Sequence, residues 1–246
     1  MSESLQMWME IGFNVSYLLV IWLLVLMMWQ RRMWVPAAQR PQARVFLGAF
    51  ALLALGDTGH VGFRVWAYAL GGLDSTITLA GRELGLVGLG ALATSITVTL
   101  FYVLVLVLWQ RRFEKPYGRF AYLLLAAAAV RLLLHLLPQN AWNSPVPPQP
   151  WSLIRNLPLM LQGLGVAYLI LRDAWAAADR TYTWIGVMIL VSYAFYMPVI
   201  FFVQRVPMLG MLMIPKTLAY VAIAFIGYGA YYRRRPGAEQ PLPAVR

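Results

Sequence analysis

The chain has 246 residues, of which 61% are hydrophobic and only 12% are charged, whereas soluble proteins average roughly 45–50% apolar and about 25% charged residues. A soluble globular domain is therefore excluded. The net charge of +11 does not indicate a nucleic-acid partner, because most Lys and Arg residues lie in short connections between apolar segments rather than on one soluble face. The absence of cysteine excludes disulfides, thiolate catalysis and cysteine metal ligands.

Seven apolar segments are each about as long as the ~20 residues that cross a bilayer as a helix. They cover residues 9–30, 45–70, 84–109, 119–137, 152–171, 183–203 and 208–232. The connections between them are short, so we predict an all-α, seven-transmembrane-helix bundle that forms one domain over residues 1–235. The remaining residues, 236–246, contain Pro, Gly and Glu and predict a disordered cytoplasmic tail.

Most of the 20 Lys and Arg residues fall on one side of the predicted bundle. These are Arg31, Arg32, Arg40, Arg44, Arg111, Arg112, Lys115, Arg119, Arg172, Arg180, Arg233, Arg234, Arg235 and Arg246. The opposite side has only Arg82 and Arg205 near helix ends. Basic connections face the cytoplasm, so we predict an outside N-terminus and a cytoplasmic C-terminus. The predicted location is the cell (inner) membrane, with the lipid bilayer as a partner.

Predicted helix 2 carries an unusual set of ionisable residues inside an apolar segment. Asp57, His60 and Arg64 follow the spacing i, i+3, i+7, which places them on one face of a helix. Ionisable groups at membrane depth are costly and mark functional sites in membrane proteins. This polar stripe is therefore the centre of the predicted site.

Three glycines alternate with the polar stripe of helix 2. Gly56, Gly59 and Gly62 recur every three residues, and small residues at such positions let the backbones of two membrane helices approach closely. We therefore predict that helix 2 packs tightly against a neighbouring helix through these glycines.

Other predicted helices carry polar groups at a compatible depth. These are Arg131 and His135 in helix 4, Arg155 and Asn156 in helix 5, and Lys216 in helix 7. At the rise of a helix, Asp57 lies roughly 20 Å beyond the basic border and Lys216 lies roughly 14 Å below the opposite border. The groups therefore converge between mid-membrane and the predicted outer surface.

The charges in this layer are mainly positive. An anionic or zwitterionic ligand would supply the counter-charge that buried cations require. We therefore predict that a transporter or sensor binds a small anionic or zwitterionic solute, or a lipid headgroup, in an outward-facing pocket. The predicted ligand-binding residues are Asp57, His60, Arg64, Arg131, His135, Asn156 and Lys216. The alternative is a structural network in which the charges pair with one another, above all Lys216 with Asp57.

Two other functions are compatible with the same residues. Asp57, His60 and His135 could form the site of an intramembrane hydrolase, acting either around a metal ion or as a metal-free acid/base group. This set is similar to the Ser/Asp/His zinc site of the ceramidase-like membrane hydrolases. Those enzymes use a third histidine and this chain has only two, so no metal ligands are assigned.

Lys216 supports the third function, that of a retinal protein. A lysine midway along the seventh helix resembles the rhodopsins, in which that residue forms a Schiff base with retinal. The resemblance covers the helix count, the orientation and this one residue. Predicted helix 3 has no carboxylate at mid-depth, so Asp57 from helix 2 would have to be the counter-ion.

Four short motifs together resemble an uncharacterised family of bacterial seven-helix integral membrane proteins. They are Gly56-Asp57-x-x-His60, Leu137-Pro-Gln-Asn-x-Trp142, Arg155-Asn-x-Pro158 and Met213-Ile-Pro-Lys-Thr217. The resemblance extends over nearly the whole chain and implies a seven-helix membrane fold. It implies no activity.

Overall fold

The computed structural model describes residues 3–79 and 81–233. Seven α-helices follow one another: α1 (Glu3–Gln30), α2 (Arg40–Ala69), α3 (Leu86–Phe113), α4 (Arg119–His135), α5 (Trp151–Ala176), α6 (Arg180–Phe202) and α7 (Met213–Tyr231). Each helix overlaps one predicted apolar segment, so the prediction of a helical protein is confirmed. The predicted tail, 236–246, lies outside the described residues.

Six of the helical segments are long and apolar enough to cross a membrane, which indicates a multi-pass membrane protein. Helix α4 is the exception, because it has only 17 residues. A helix of that length spans about 26 Å, less than the ~30 Å of a bilayer core. Among the described residues, six helices are therefore candidate membrane spans. A seventh crossing by α4 and the orientation of the termini stay predictions.

A short β-hairpin joins α2 to α3 and was not predicted. Strands β1 (Thr76–Leu79) and β2 (Arg82–Gly85) pair antiparallel, with Thr76 opposite Gly85. The β-branched residues at the start of β1 favour a strand. The hairpin was not predicted, because the end of β2 was assigned to the apolar segment that begins at residue 84. The hairpin marks one end of the bundle, called here the hairpin end. The other end, which carries the basic connections, is the arginine end.

Helices α2 and α3 form the most extensive helix pair in the bundle. A Cβ added to Gly56 would lie 1.7 Å from Thr97 Oγ1, and one added to Gly59 would lie 3.2 Å from Ala93 Cβ. Gly62 has no such neighbour within 4 Å. Two of the three glycines therefore allow the predicted close approach, which brings the polar stripe of α2 directly against α3.

The other helices complete a closed arrangement around α3. Helix α3 also contacts α4 and α5, while α5 packs on α6, α6 on α7, and α7 on α1. Towards the arginine end, the interior is filled by aromatic rings from several helices, such as Phe50 and Phe101 at 5.5 Å and Phe101 and Tyr220 at 5.5 Å between ring centroids. This packed core leaves the hairpin half of the bundle as the place where polar side chains meet.

Candidate functional site

The segment 90–99 of α3 lies between the polar groups of the neighbouring helices. Helix α2 places His60 against Gly90 and Asp57 against Thr94. Helix α4 places His135 beside Ser95. Since α3 begins at Leu86, this segment lies roughly 6–20 Å along the helix from its start. The polar groups of these three helices thus share one depth in the hairpin half.

The contacts divide these polar groups into two clusters on different sides of α3. Consecutive residues of a helix are rotated by about 100°, so neighbouring positions of α3 serve different helices. The carboxylate cluster consists of Tyr17, Asp57, His60, Thr94, Tyr196 and Lys216. The arginine cluster consists of Ser95, Thr99, Arg131, His135, Asn140, Trp142, Arg155 and Asn156. The single pocket predicted from the sequence is therefore two distinct polar regions.

Asp57 is the anion of the carboxylate cluster. It accepts hydrogen bonds from the hydroxyl of Tyr17 on α1 and from Thr94 Oγ1 on α3, the latter at 2.8 Å. Among the described residues, Asp57 forms no ion pair with Lys216. The structural alternative that paired these two charges is therefore wrong, because two hydroxyl groups satisfy the carboxylate instead.

Lys216 is the cation of the carboxylate cluster and lies in the first turn of α7. Its ammonium nitrogen is 4.5 Å from the ring centroid of Tyr196 and 5.7 Å from that of Tyr220. These aromatic faces attract a cation, but they accept none of its N–H groups in a conventional hydrogen bond. Within the described part of the chain, its three N–H donors have no oxygen or nitrogen acceptor.

The helix that carries Lys216 begins with a change of helix type. A 3₁₀ segment, Pro207–Leu212, precedes the first turn of α7. Pro215 lies within that first turn, where the missing N–H has no helical partner to lose. The lysine is therefore held at the start of a regular helix.

His60 and Arg64 extend the carboxylate cluster towards the hairpin end. His60 lies within electrostatic range of Asp57, Arg64 and Lys216. Its Nδ1 atom is buried and has no hydrogen-bond partner among the described residues. Arg64 lies one turn further along α2 and is half-buried. Among the described side chains, this region therefore combines one carboxylate, one imidazole and two basic groups.

Arg131 organises the arginine cluster and is only 2% exposed. Its Nε donates to Arg155 O, its Nη1 donates to Ser95 O and Thr99 Oγ1, and its Nη2 donates to Ser95 Oγ and Asn156 Oδ1. All five N–H donors of a guanidinium are thereby used by protein oxygens from α3 and α5. Arg131 joins three helices and has no donor left for a ligand.

His135 and Ser95 form a buried pair next to Arg131. Ser95 Oγ and His135 Nε2 are 2.7 Å apart. The indole N–H of Trp142 donates to His135 O at 2.9 Å, and the two rings pack at 5.6 Å between centroids. A serine next to a histidine is the arrangement of an activated nucleophile. Here both side chains are buried, and the serine oxygen also accepts from Arg131.

Asn156 connects the two clusters. Its Oδ1 accepts from Arg131 and, at 3.4 Å, from the hydroxyl of Tyr196. The ring of Tyr196 in turn faces the ammonium of Lys216. A change in the position of Tyr196 would therefore alter the surroundings of both Arg131 and Lys216.

The proposed hydrolase residues are not assembled in this structure. His60 packs against Gly90 and His135 packs against Ser95, on different sides of α3. Over residues 3–79 and 81–233, no group of three or more His, Asp or Glu side chains is arranged to hold a metal ion. The prediction for Asp57, His60 and His135 therefore gains no support from the fold.

Several residues that complete these clusters were not predicted as site residues, and Tyr17 and Ser95 are two of them. Tyr17 binds Asp57 from α1, where it is a single tyrosine within an apolar segment. Ser95 contacts both Arg131 and His135, although a serine in a membrane helix usually bonds its own backbone. Both residues are polar and lie at the depth already inferred for Asp57 and Arg131, and this shared depth could have indicated that they belong to the site.

No protein-family model, curated protein or solved structure matches the chain.

Proposed function

We propose that the chain is a multi-pass protein of the cell membrane that binds a small anionic or zwitterionic solute, or a lipid headgroup, beside Lys216. In this proposal it acts as a transporter or a sensor. The observation that carries the proposal is the ammonium of Lys216, which has aromatic faces around it but no hydrogen-bond acceptor among the described residues. A buried or half-buried cation needs such an acceptor, and an anionic group of a ligand would supply it.

The surroundings of Lys216 favour a ligand that carries both charges. Asp57 lies in the same cluster and is within electrostatic range of His60. Among the described residues, its carboxyl group accepts side-chain hydrogen bonds only from the hydroxyl groups of Tyr17 and Thr94. An ammonium group near Asp57 and an acidic group near Lys216 would satisfy both side chains. A zwitterion therefore fits the cluster better than a simple anion.

The two arginine positions take different roles in this proposal. Arg64 lies at the hairpin-end side of the carboxylate cluster, within electrostatic range of His60. Arg131, with His135 and Asn156, supports the wall of the site through α3, α4 and α5, because its donors are all used internally. With the arginine end in the cytoplasm, the site would open outwards.

The proposal is tested with the purified full-length chain in nanodiscs of neutral phosphatidylcholine. Thermal unfolding is measured with added phosphate, glutamate or glycine betaine, and separately in nanodiscs that contain phosphatidylserine. We expect at least one solute, or the anionic lipid, to raise the unfolding temperature. Comparison of the added solutes with the phosphatidylserine nanodiscs shows whether the anionic group belongs to a free solute or to a lipid headgroup.

Lys216→Gln is the decisive variant, and Lys115→Gln is its matched control because Lys115 is exposed in the α3–α4 connection. We expect Lys216→Gln to weaken ligand affinity at least about tenfold, which corresponds to about 1.4 kcal/mol, while Lys115→Gln leaves it unchanged. Equal ligand responses of wild type and Lys216→Gln would refute a site at Lys216.

A further inference from the structure

The arginine cluster contains two buried guanidinium groups and no buried carboxylate. Arg131 and Arg155 are 2% and 7% exposed, and each lies within electrostatic range of the other. Neither of them forms an ion pair with a carboxylate of the described residues; the ion pairs in the described part of the chain are Arg112–Asp179 and Arg172–Asp173. Burying two like charges without a counter-charge is strongly unfavourable.

The two guanidinium groups differ in how they are satisfied. Arg131 uses all five donors, whereas Arg155 donates only to Asn140 Oδ1, at 3.3 Å, and stacks on the ring of Trp142 at 4.4 Å from its centroid. Among the described residues the other donors of Arg155 have no acceptor. Arg155 is therefore the cation with free binding capacity.

A small cavity lies directly beside Arg155. Its volume is about 20 Å³, and its lining includes Arg155, Asn140, Trp142, Val87 and Gly88. A cavity of at least about 10–15 Å³ holds one water-sized occupant. A halide ion is only slightly larger than water and fits a space of this size.

The start of α3 adds a second positive feature to the cavity. Helix α3 begins at Leu86, whose N–H donates to Ser75 O. The next two residues, Val87 and Gly88, line the cavity and belong to the first turn, where N–H groups lack partners within the helix. These amides and the helix dipole favour an anion. The close passage of Trp142 O over Gly88, where a Cβ would lie only 1.6 Å away, closes the cavity on this side.

We propose that this cavity binds a single monovalent anion of halide size, chloride in physiological media, as the counter-ion of Arg155 and Arg131. This site is separate from the one proposed at Lys216. A water molecule would satisfy the free donors of Arg155, but it would leave two buried positive charges without compensation. The anion would hold the connection 140–147 onto the starts of α3 and α5.

The test measures thermal unfolding of the purified full-length chain in chloride, bromide or gluconate salts at constant ionic strength. We expect chloride and bromide to raise the unfolding temperature of the wild type by about 2 °C or more relative to gluconate. Arg155→Gln should lose this difference. Lys216→Gln should keep it, so that failure of the Lys216 site and failure of this site are distinguishable.

A direct binding measurement guards against a variant that fails to fold. Radioactive chloride should bind to the wild-type chain at about one ion per protein and be displaced by bromide but not by gluconate. Equal unfolding temperatures in chloride and gluconate, or no displaceable chloride on the wild type, would show that the cavity holds water only and would overturn the proposal. Retention of the chloride effect in Arg155→Gln would overturn it as well.

Discussion

The carboxylate cluster and the arginine cluster lie at the same depth on two sides of α3, but they satisfy their charges in different ways. Arg131 places all five N–H donors on protein oxygens, whereas Lys216 has only the faces of Tyr196 and Tyr220. A buried charge that is fully hydrogen-bonded stabilises the contacts between helices. A cation without an acceptor contributes little to the fold and remains able to bind a ligand.

The largest expected effect is that of Arg131→Met. The substitution removes five hydrogen bonds and deprives buried oxygens of Ser95 and Thr99 of the donors that Arg131 supplies. Breaking such a buried network costs about 3 kcal/mol of the free energy of unfolding or more, measured by thermal or detergent unfolding. Arg205→Gln, at an exposed position, is the control and should change it by less than about 0.5 kcal/mol. Similar stabilities of both variants would show that Arg131 does not join the helices.

A smaller loss is expected when the α2–α3 contact, which presents the carboxylate cluster, is widened. Gly56→Ala introduces a Cβ that would lie 1.7 Å from Thr97 Oγ1, so the helices must separate. Overpacking of this kind costs about 1–3 kcal/mol. Gly62→Ala on the same helix meets no atom within 4 Å and should be neutral or slightly stabilising. If both variants unfolded at the same temperature, close α2–α3 packing at Gly56 would be refuted.

The smallest expected effect on stability is that of Lys216→Met. The ammonium makes no hydrogen bond within the described residues, so its removal leaves no orphaned acceptor. The change in the free energy of unfolding should stay within about 0.5 kcal/mol, or favour the folded state. The contrast with Arg131→Met, which makes the same kind of replacement, tests the difference between the clusters directly. A loss as large as that of Arg131→Met would show that Lys216 is a structural residue.

The sequence was sufficient to predict the helices and the depth of their polar groups. The apolar segments correspond to α1–α7, because the requirement for about 20 apolar residues acts locally along the chain. Asp57 and Lys216 could be placed near one depth because the rise of a helix is constant. The spacing of Gly56 and Gly59 likewise indicated a close helix contact before its partner was known.

The allocation of partners could not be predicted in the same way. A depth estimate contains no information on which side of a neighbouring helix a group will face, so Arg131 and Lys216 were assigned to one pocket. In the structure, Thr94 and Ser95 are adjacent in α3 but point about 100° apart, towards Asp57 and His135 respectively. The hairpin 76–85 was not predicted, because its last residues were assigned to the apolar segment of the next helix.

The amino-acid sequence by itself therefore determined a helical membrane protein with ionisable groups concentrated at one depth, since hydrophobicity and helix rise are local properties. The tertiary structure decided which charge is satisfied and which is available. The reason is that a hydrogen bond depends on the distance and direction between its two groups. Pairs such as Arg131 and Asn156, or Asp57 and Tyr17, lie far apart in the chain and meet only when the helices pack around α3.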